Sequence, residues 1–227
     1  MAAEPPVLEL RGVGRVYGAD PPVEALRDVD LVVERGEAIA IVGPSGSGKS
    51  TLLNIVGCLD RQTTGTYLID GIDVSSLGEA ELASLRGRRI GFVFQSFNLL
   101  AHRSVLENVV LSELYVGSAR GGRRERALAA LERVGIAGRA RFVPGKLFGG
   151  EQQRVAIACA LVGPPSVLLC DEPTGNLDSR NTDAVLGLFE ALVAEGMTML
   201  IITHDEQVAA RMPRRTRIVD GRLTEQE

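Results

Sequence analysis

The sequence has no apolar stretch approaching the roughly 18 residues that a membrane-crossing helix needs. Its start, MAAEPPVLEL, also lacks the basic residues and apolar run of a signal peptide. These two absences point to a protein made and kept in the cytoplasm, with any membrane role exercised through a partner. Cysteine is scarce. Cys58, Cys159 and Cys170 are scattered, odd in number and without CxxC spacing, which argues against disulfides and zinc. They read as small buried apolar residues in a reducing compartment. A large charge of one sign is missing too: the formal net charge is −4, so nothing electrostatic calls for nucleic acid as a partner. Basic clusters at Arg86–Arg89 and Arg120–Arg126 sit beside acidic or apolar residues and read as solvated helix faces.

What is present is an ordinary globular balance, 45% hydrophobic and 24% charged over 227 residues, enough for one large domain with an ample core. Short β-branched runs alternate with helical stretches, which predicts an α/β fold. Val7–Leu10 and Leu31–Val33 read as strands, the second as part of an antiparallel edge. Ala38–Val42, Val167–Cys170 and Met199–Ile202 are continuous apolar runs, as buried parallel strands are. Tyr67–Ile69 and Ile90–Phe94 are further strand candidates. From about 96 to 165 the pattern turns helical, with apolar spacing over Ser104–Leu114, Arg123–Val134 and Gly149–Val162. The expected organisation is a single domain, an α/β core of residues 1–95 and 166–227 with a helical subdomain, 96–165, inserted in it.

Gly43-Pro44-Ser45-Gly46-Ser47-Gly48-Lys49-Ser50 fits the phosphate-binding pattern GxxxxGK[ST] and lies between a predicted buried strand and a predicted helix. Glycines let the backbone wrap phosphates with its N–H groups turned inward, and the helix that follows adds its positive end. Lys49 is placed to reach the β- and γ-phosphates, and the Ser50 hydroxyl to ligate Mg²⁺; Thr51 continues the same turn. The run VLLCDE puts Asp171 at the end of a buried strand, where it can hold a metal-bound water. Glu172 points elsewhere and is placed to polarise an attacking water as general base.

After the P-loop come Gln95 at a strand end, GGEQQ at Gly149–Gln153, the Asp171-Glu172 pair, Asn176-Leu177-Asp178, and His204 after a strand. This order resembles the ABC ATPase family across essentially the whole chain. The wording GCLDRQTTGTY, GFVFQSFNLL and DEPTGNLD is most similar to the branch of lipoprotein-release, macrolide-export and FtsE-like cell-division ATPases. The resemblance implies a P-loop NTPase core of ABC type with an antiparallel β edge and an inserted helical subdomain. It implies that Tyr17 stacks on adenine, that Gln95 touches metal and attacking water, and that His204 contacts the γ-phosphate. It also implies that Asp178 crosses a dimer interface. Two such domains would face each other head to tail, with ATP between one chain's P-loop and the other's Gly149-Gly150-Glu151. The dimer would drive a separate transmembrane permease, so the chain would be peripheral on the inner face of the membrane.

The sequence departs from the family motif LSGGQ/E at Phe148, which stands where a serine is usual, and at Cys159, where this branch usually has arginine. Phe148 removes a helix cap and a hydroxyl donor to the γ-phosphate, and adds bulk. A homodimer would carry Phe148 at both sites and turn over weakly; a heterodimer could supply a serine to this chain's P-loop. Two other roles carry different sequence marks. Chromosome and repair relatives carry long coiled-coil insertions, whereas Lys49 and Gly149 are 100 positions apart here; ribosomal relatives carry two modules. An FtsE-like protein would keep the membrane partner and signal rather than transport. Only 23 residues follow His204, too few for the C-terminal regulatory domain of some importers.

Overall fold

Apolar side chains alternating along the central strands supply two separate cores. The computed structural model describes residues 4–18, 20–114 and 121–225. A six-stranded sheet runs in the order β10-β9-β3-β8-β7-β6. Its strands are β3 (Ala38–Val42), β6 (Ile90–Phe94), β7 (Val167–Asp171), β8 (Met199–Thr203), β9 (Arg214–Val219) and β10 (Arg222–Glu225). All neighbours pair in parallel except β9 with β10. Ala38, Ala40, Val42, Leu168, Cys170, Met199 and Ile201 face one core, while Ile39, Ile41, Val167, Leu169, Leu200 and Ile202 face the other.

The first core is covered by α3 (Val105–Glu113), α4 (Arg123–Arg133), α5 (Gly149–Leu161), α6 (Ser179–Ala194) and α7 (Glu206–Ala210). The helices α3 to α5 therefore share one continuous core with the sheet they follow, and no strand interrupts them among the described residues. The second core is closed by α1 (Lys49–Val56), α2 (Glu79–Arg89) and an antiparallel sheet of order β2-β1-β4-β5. That sheet comprises β1 (Leu8–Tyr17), β2 (Val23–Val33), β4 (Thr64–Ile69) and β5 (Ile72–Asp73).

β1 and β2 run well beyond the short apolar runs read from the sequence. Their extra residues mix exposed or half-exposed polar side chains with the buried Val13, Leu26 and Val29, and backbone pairing with each other holds them in register. The structure adds two hairpins. Asp70-Gly71 and Asp220-Gly221 are both two-residue turns with positive φ at each position (48° and 76°, 48° and 78°). Asp-Gly is the pair that such turns favour.

Cys58 and Cys170 are buried and Cys159 half-buried; burial pushes the Cys58 and Cys159 thiols up to about 11 and raises Cys170 as well. The first basic cluster is not simply a solvated face. Arg86 donates to the Cys58 carbonyl at 2.6 Å, and Arg89 pairs with Asp70 at 3.1 Å. In the second cluster Arg120 lies outside the described residues, and Arg126 is tied to Glu113 on α3. Among the described residues, no helix is long and apolar enough to cross a membrane.

Candidate active site

β3 ends at Val42 and the chain turns through 43–48 into α1. At Gly48 φ is +106°, and a Cβ there would stand 2.6 Å from the Ala25 carbonyl oxygen, so only glycine brings the loop this close to β2. The helix then starts with no side-chain cap and no acidic residue in its first turn. Its leading N–H groups and positive end are thus left to a ligand. Lys49 Nζ donates to the carbonyls of Gly43 and Pro44 at 2.7 and 2.8 Å, which folds its charge back over the loop. Ser47 Oγ is buried with no partner among the described residues.

A cleft of about 790 Å³ opens in front of this loop. Ser45, Gly46, Gly48, Lys49, Ser50 and Thr51 line its floor, and Gln95, Asp171 and Glu172 its far side. Asp171 closes β7. Burial, with the charge of Glu172 beside it, raises its carboxyl above the ordinary range; Lys49 acts in the opposite sense. Glu172 has φ +45°, uncommon for a residue with a side chain, and its carboxylate turns to the end of β8. Thr203 Oγ1 donates to one oxygen at 3.0 Å, and the His204 N–H donates to the other at 3.0 Å. His204 Nδ1 lies 2.6 Å from that second oxygen. The Glu172 side chain is 16% exposed and that of His204 is 71% exposed, so the imidazole is presented outward while its carboxylate partner is held.

The other sequence-predicted residues lie outside the cleft. Asn176 Nδ2 donates to the Gln95 carbonyl at 2.9 Å and its Oδ1 faces Gln95 Nε2 at 3.4 Å, tying the end of β6 to the 176–178 segment. Asp178 caps α6, accepting from the backbone N–H and side-chain amide of Asn181 at 2.9 and 3.0 Å. Asn181 in turn abuts Gly150, where a Cβ would meet its Oδ1 at 2.3 Å. Phe148 occupies the N-cap of α5 and is 77% exposed. A phenyl ring accepts no hydrogen bond from the helix, so only Glu151 works here: it accepts the Phe148 N–H at 3.1 Å and pairs with Arg139 at 3.0 Å. Gly149 follows Phe148 at the head of α5, beside Leu177. Tyr17 ends β1 on the flank of the cleft, opposite Val23.

Two supports of the site escaped the sequence reading. The Asp220-Gly221 turn lines the cleft: Gly221 N–H donates to the Ser47 carbonyl at 2.9 Å, and the Arg27 N–H donates to the Gly221 carbonyl at 2.8 Å. Glu24 and Arg27 of β2 form the near wall. The Asp-Gly pair between alternating residues was the available signal for the turn; nothing local marked Glu24 or Arg27.

Among the described residues there is no group of three or more His, Cys, Asp and Glu that could hold a metal by itself. The hydroxyl of Ser50, the Asp171 carboxylate and the Gln95 amide do share the cleft. Few oxygen donors beside a phosphate cradle suit Mg²⁺, which keeps waters and takes ligands from substrate phosphates.

A family model described as ABC transporter matches residues 26–175. The chain is 51% identical over 219 residues to the macrolide export ATP-binding/permease protein MacB of Paracoccus denitrificans, covering 96% of this chain and 33% of that protein. It thus spans about a third of the length of its MacB relatives. It is 48% identical over 200 residues to the uncharacterized ABC transporter ATP-binding protein YknY of Bacillus subtilis, covering 88% of this chain and 87% of that one. Among solved structures, the dimer of MJ0796, a bacterial ABC transporter cassette, matches with TM-score 0.86 at 42% identity over 97% of each chain. The MJ0796 dimer in a post-hydrolysis state bound to ADP and Pi matches with TM-score 0.87 at 41% identity. With the P-loop, the Asp171-Glu172 pair and the α5 glycines in this arrangement, the chain belongs to the ABC transporter ATP-binding family.

Proposed function

We propose that the chain binds and hydrolyses ATP as one half of a head-to-tail dimer that drives a membrane permease of the export type. The observation that carries the reading is the division of the site. The phosphate loop, Asp171, Glu172 and Gln95 share one cleft, while Phe148–Glu151 and Asp178 are not among the residues that line it. A second copy, inverted, supplies the missing half. The dimeric MJ0796 cassettes, one of them bound to ADP and Pi, support that assembly. The permease in the name of the MacB relatives supports the membrane partner, and with it a position on the inner face of the membrane.

In this reading the loop N–H groups and Lys49 hold the ATP phosphates, and Tyr17 stacks on the base. Ser50, Asp171 and Gln95 hold Mg²⁺, which when bound neutralises charge on the phosphate oxygens. Glu172 orients and deprotonates the attacking water, with His204 kept in place by the same carboxylate. Gly149-Gly150 present the α5 N-terminus to the partner's γ-phosphate, the positive end of a helix meeting an anion. Phe148 replaces a hydroxyl there, so a homodimer is a slow ATPase, and a partner with serine at this position completes one of two sites.

Steady-state hydrolysis by the purified chain beside Glu172→Gln tests the proposal. Turnover should fall by about a hundredfold or more, the contribution of a positioned general base, while ATP binding survives. A glutamine variant that turns over at the native rate would remove Glu172 from this role.

A further inference from the structure

Tyr17 is held on two sides by residues outside the cleft. The Arg15 guanidinium lies over one face of the ring, 4.5 Å from its centroid. The phenol donates to Asp60 Oδ2 at 2.9 Å. Asp60 also receives Arg15 in a two-pronged pair, Nε to Oδ2 at 3.0 Å and Nη2 to Oδ1 at 2.8 Å. Ring, cation and carboxylate thus close a triangle. Asp60 is itself fixed at the end of α1, its N–H donating to the Asn54 carbonyl at 3.1 Å and its Oδ1 accepting the Arg61 N–H at 2.8 Å.

The triangle is not needed to join β1 to the loop after α1. Thr63 does that already: its N–H donates to the Gly14 carbonyl at 2.8 Å and its hydroxyl accepts the Val16 N–H at 3.0 Å. None of the three side chains belongs to either apolar core. What the triangle does is restrict one aromatic ring. Val23, paired opposite Tyr17 across β1 and β2, lines the cleft, and directly opposed residues project from the same face of a sheet. One face of the ring is taken by the cation, so a flat ligand can stack only on the other.

We infer that Arg15 and Asp60 are positioning residues for the nucleotide base: they hold Tyr17 in a single orientation so that a purine stacks on its uncovered face. The inference rests on the reading of the cleft as a nucleotide site and adds to it how the base is caught. A ring fixed before binding loses no rotamer freedom when the base arrives, and a cation on one face leaves the opposite face free to stack.

The test is calorimetric binding of two ligands to the full chain, ATP and inorganic tripolyphosphate, which has the phosphates without the base. Native protein should bind ATP more tightly than tripolyphosphate. Tyr17→Phe, which removes only the bond to Asp60, and Asp60→Asn should each weaken ATP about fivefold, the low end for a base–aromatic stack, and leave tripolyphosphate unchanged. In a Tyr17→Ala background, Asp60→Asn should have no further effect on ATP. Parallel loss of both ligands would mean that the triangle braces the fold or the P-loop, and would overturn the inference. So would full ATP affinity in Tyr17→Phe together with an Asp60→Asn effect that persists without the ring. A native chain that binds neither ligand would instead overturn the nucleotide reading beneath it.

Discussion

Replacing Phe148 with serine changes two things that separate measurements can read. The first is local. Phe148 has the extended backbone of an N-cap, φ −74° and ψ 161°, a conformation that a capping serine adopts. The residue is 77% exposed, so removing its ring gives up little burial. Glu151 already accepts the Phe148 N–H, one half of a reciprocal box, and a serine hydroxyl would accept the Glu151 N–H to complete it. The same fold contains the finished version at the head of α3. There Ser104 Oγ accepts the Glu107 N–H at 3.2 Å, and Glu107 accepts the Ser104 N–H at 2.7 Å. Completing a cap contributes about 1 kcal/mol, which raises Tm by about 3 °C for a domain of this size. The second change is across the proposed dimer. A hydroxyl facing the partner's γ-phosphate adds a hydrogen bond to a charged group, about 1.5–3 kcal/mol, or about tenfold or more in turnover. Thermal unfolding without nucleotide reads the first effect and steady-state ATPase the second. An unchanged or lower Tm would refute the cap. A raised Tm with unchanged turnover would refute the account of Phe148 at the sandwiched site.

Gly150→Ala places a methyl group 2.3 Å from Asn181 Oδ1, an overpacking that costs about 1–3 kcal/mol. Thermal unfolding should drop by several degrees and recover when Asn181→Ala is added; native stability in the single variant would contradict the close approach of α5 and α6. Asp171→Asn should raise Tm at neutral pH. Burial and the neighbouring Glu172 lift the Asp171 carboxyl above its ordinary value of 3.8, so its ionisation opposes folding above the folded-state pKa. That penalty fades as pH falls and vanishes below the unfolded-state value, so the variant's advantage should shrink on acidification. An advantage that grows toward acid would reverse the sign and refute the assignment.

The parts of the molecule written in contiguous residues were legible before the structure. β3 is a buried run of five apolar residues, and the loop after it needs glycine and lysine in fixed order, so strand, P-loop and helix declared themselves together. Asp171-Glu172 was readable for the same reason, a charged pair ending an apolar run. The positive φ of Glu172 and its three contacts at Thr203 and His204 were not, because β8 supplies the partners from a distant stretch of chain. β1 and β2 read short because their buried Val13, Leu26 and Val29 stand isolated among glycine and charged residues, while backbone pairing, which leaves no mark of hydrophobicity, holds the rest. Arg86 looked like a solvated charge and instead satisfies the Cys58 carbonyl, since its local neighbours say nothing of what α1 brings beside it. The setting of Tyr17 was hidden likewise: Asp60 reaches it from across the sheet edge.

The hydrogen bond from Gly221 to the Ser47 carbonyl joins residues that lie far apart in the chain. The phosphate loop follows β3, yet the turn that braces it belongs to the β9–β10 hairpin. During synthesis the P-loop residues therefore emerge in order but unsupported, and the strands that fix them follow only much later in the chain. Closing so long a loop is slow and is rewarded late. Nucleotide affinity should consequently appear abruptly, once β9 and β10 have docked, rather than grow with chain length. A growing chain is thereby kept from capturing ATP before it has a β9–β10 hairpin to hold the phosphates in place.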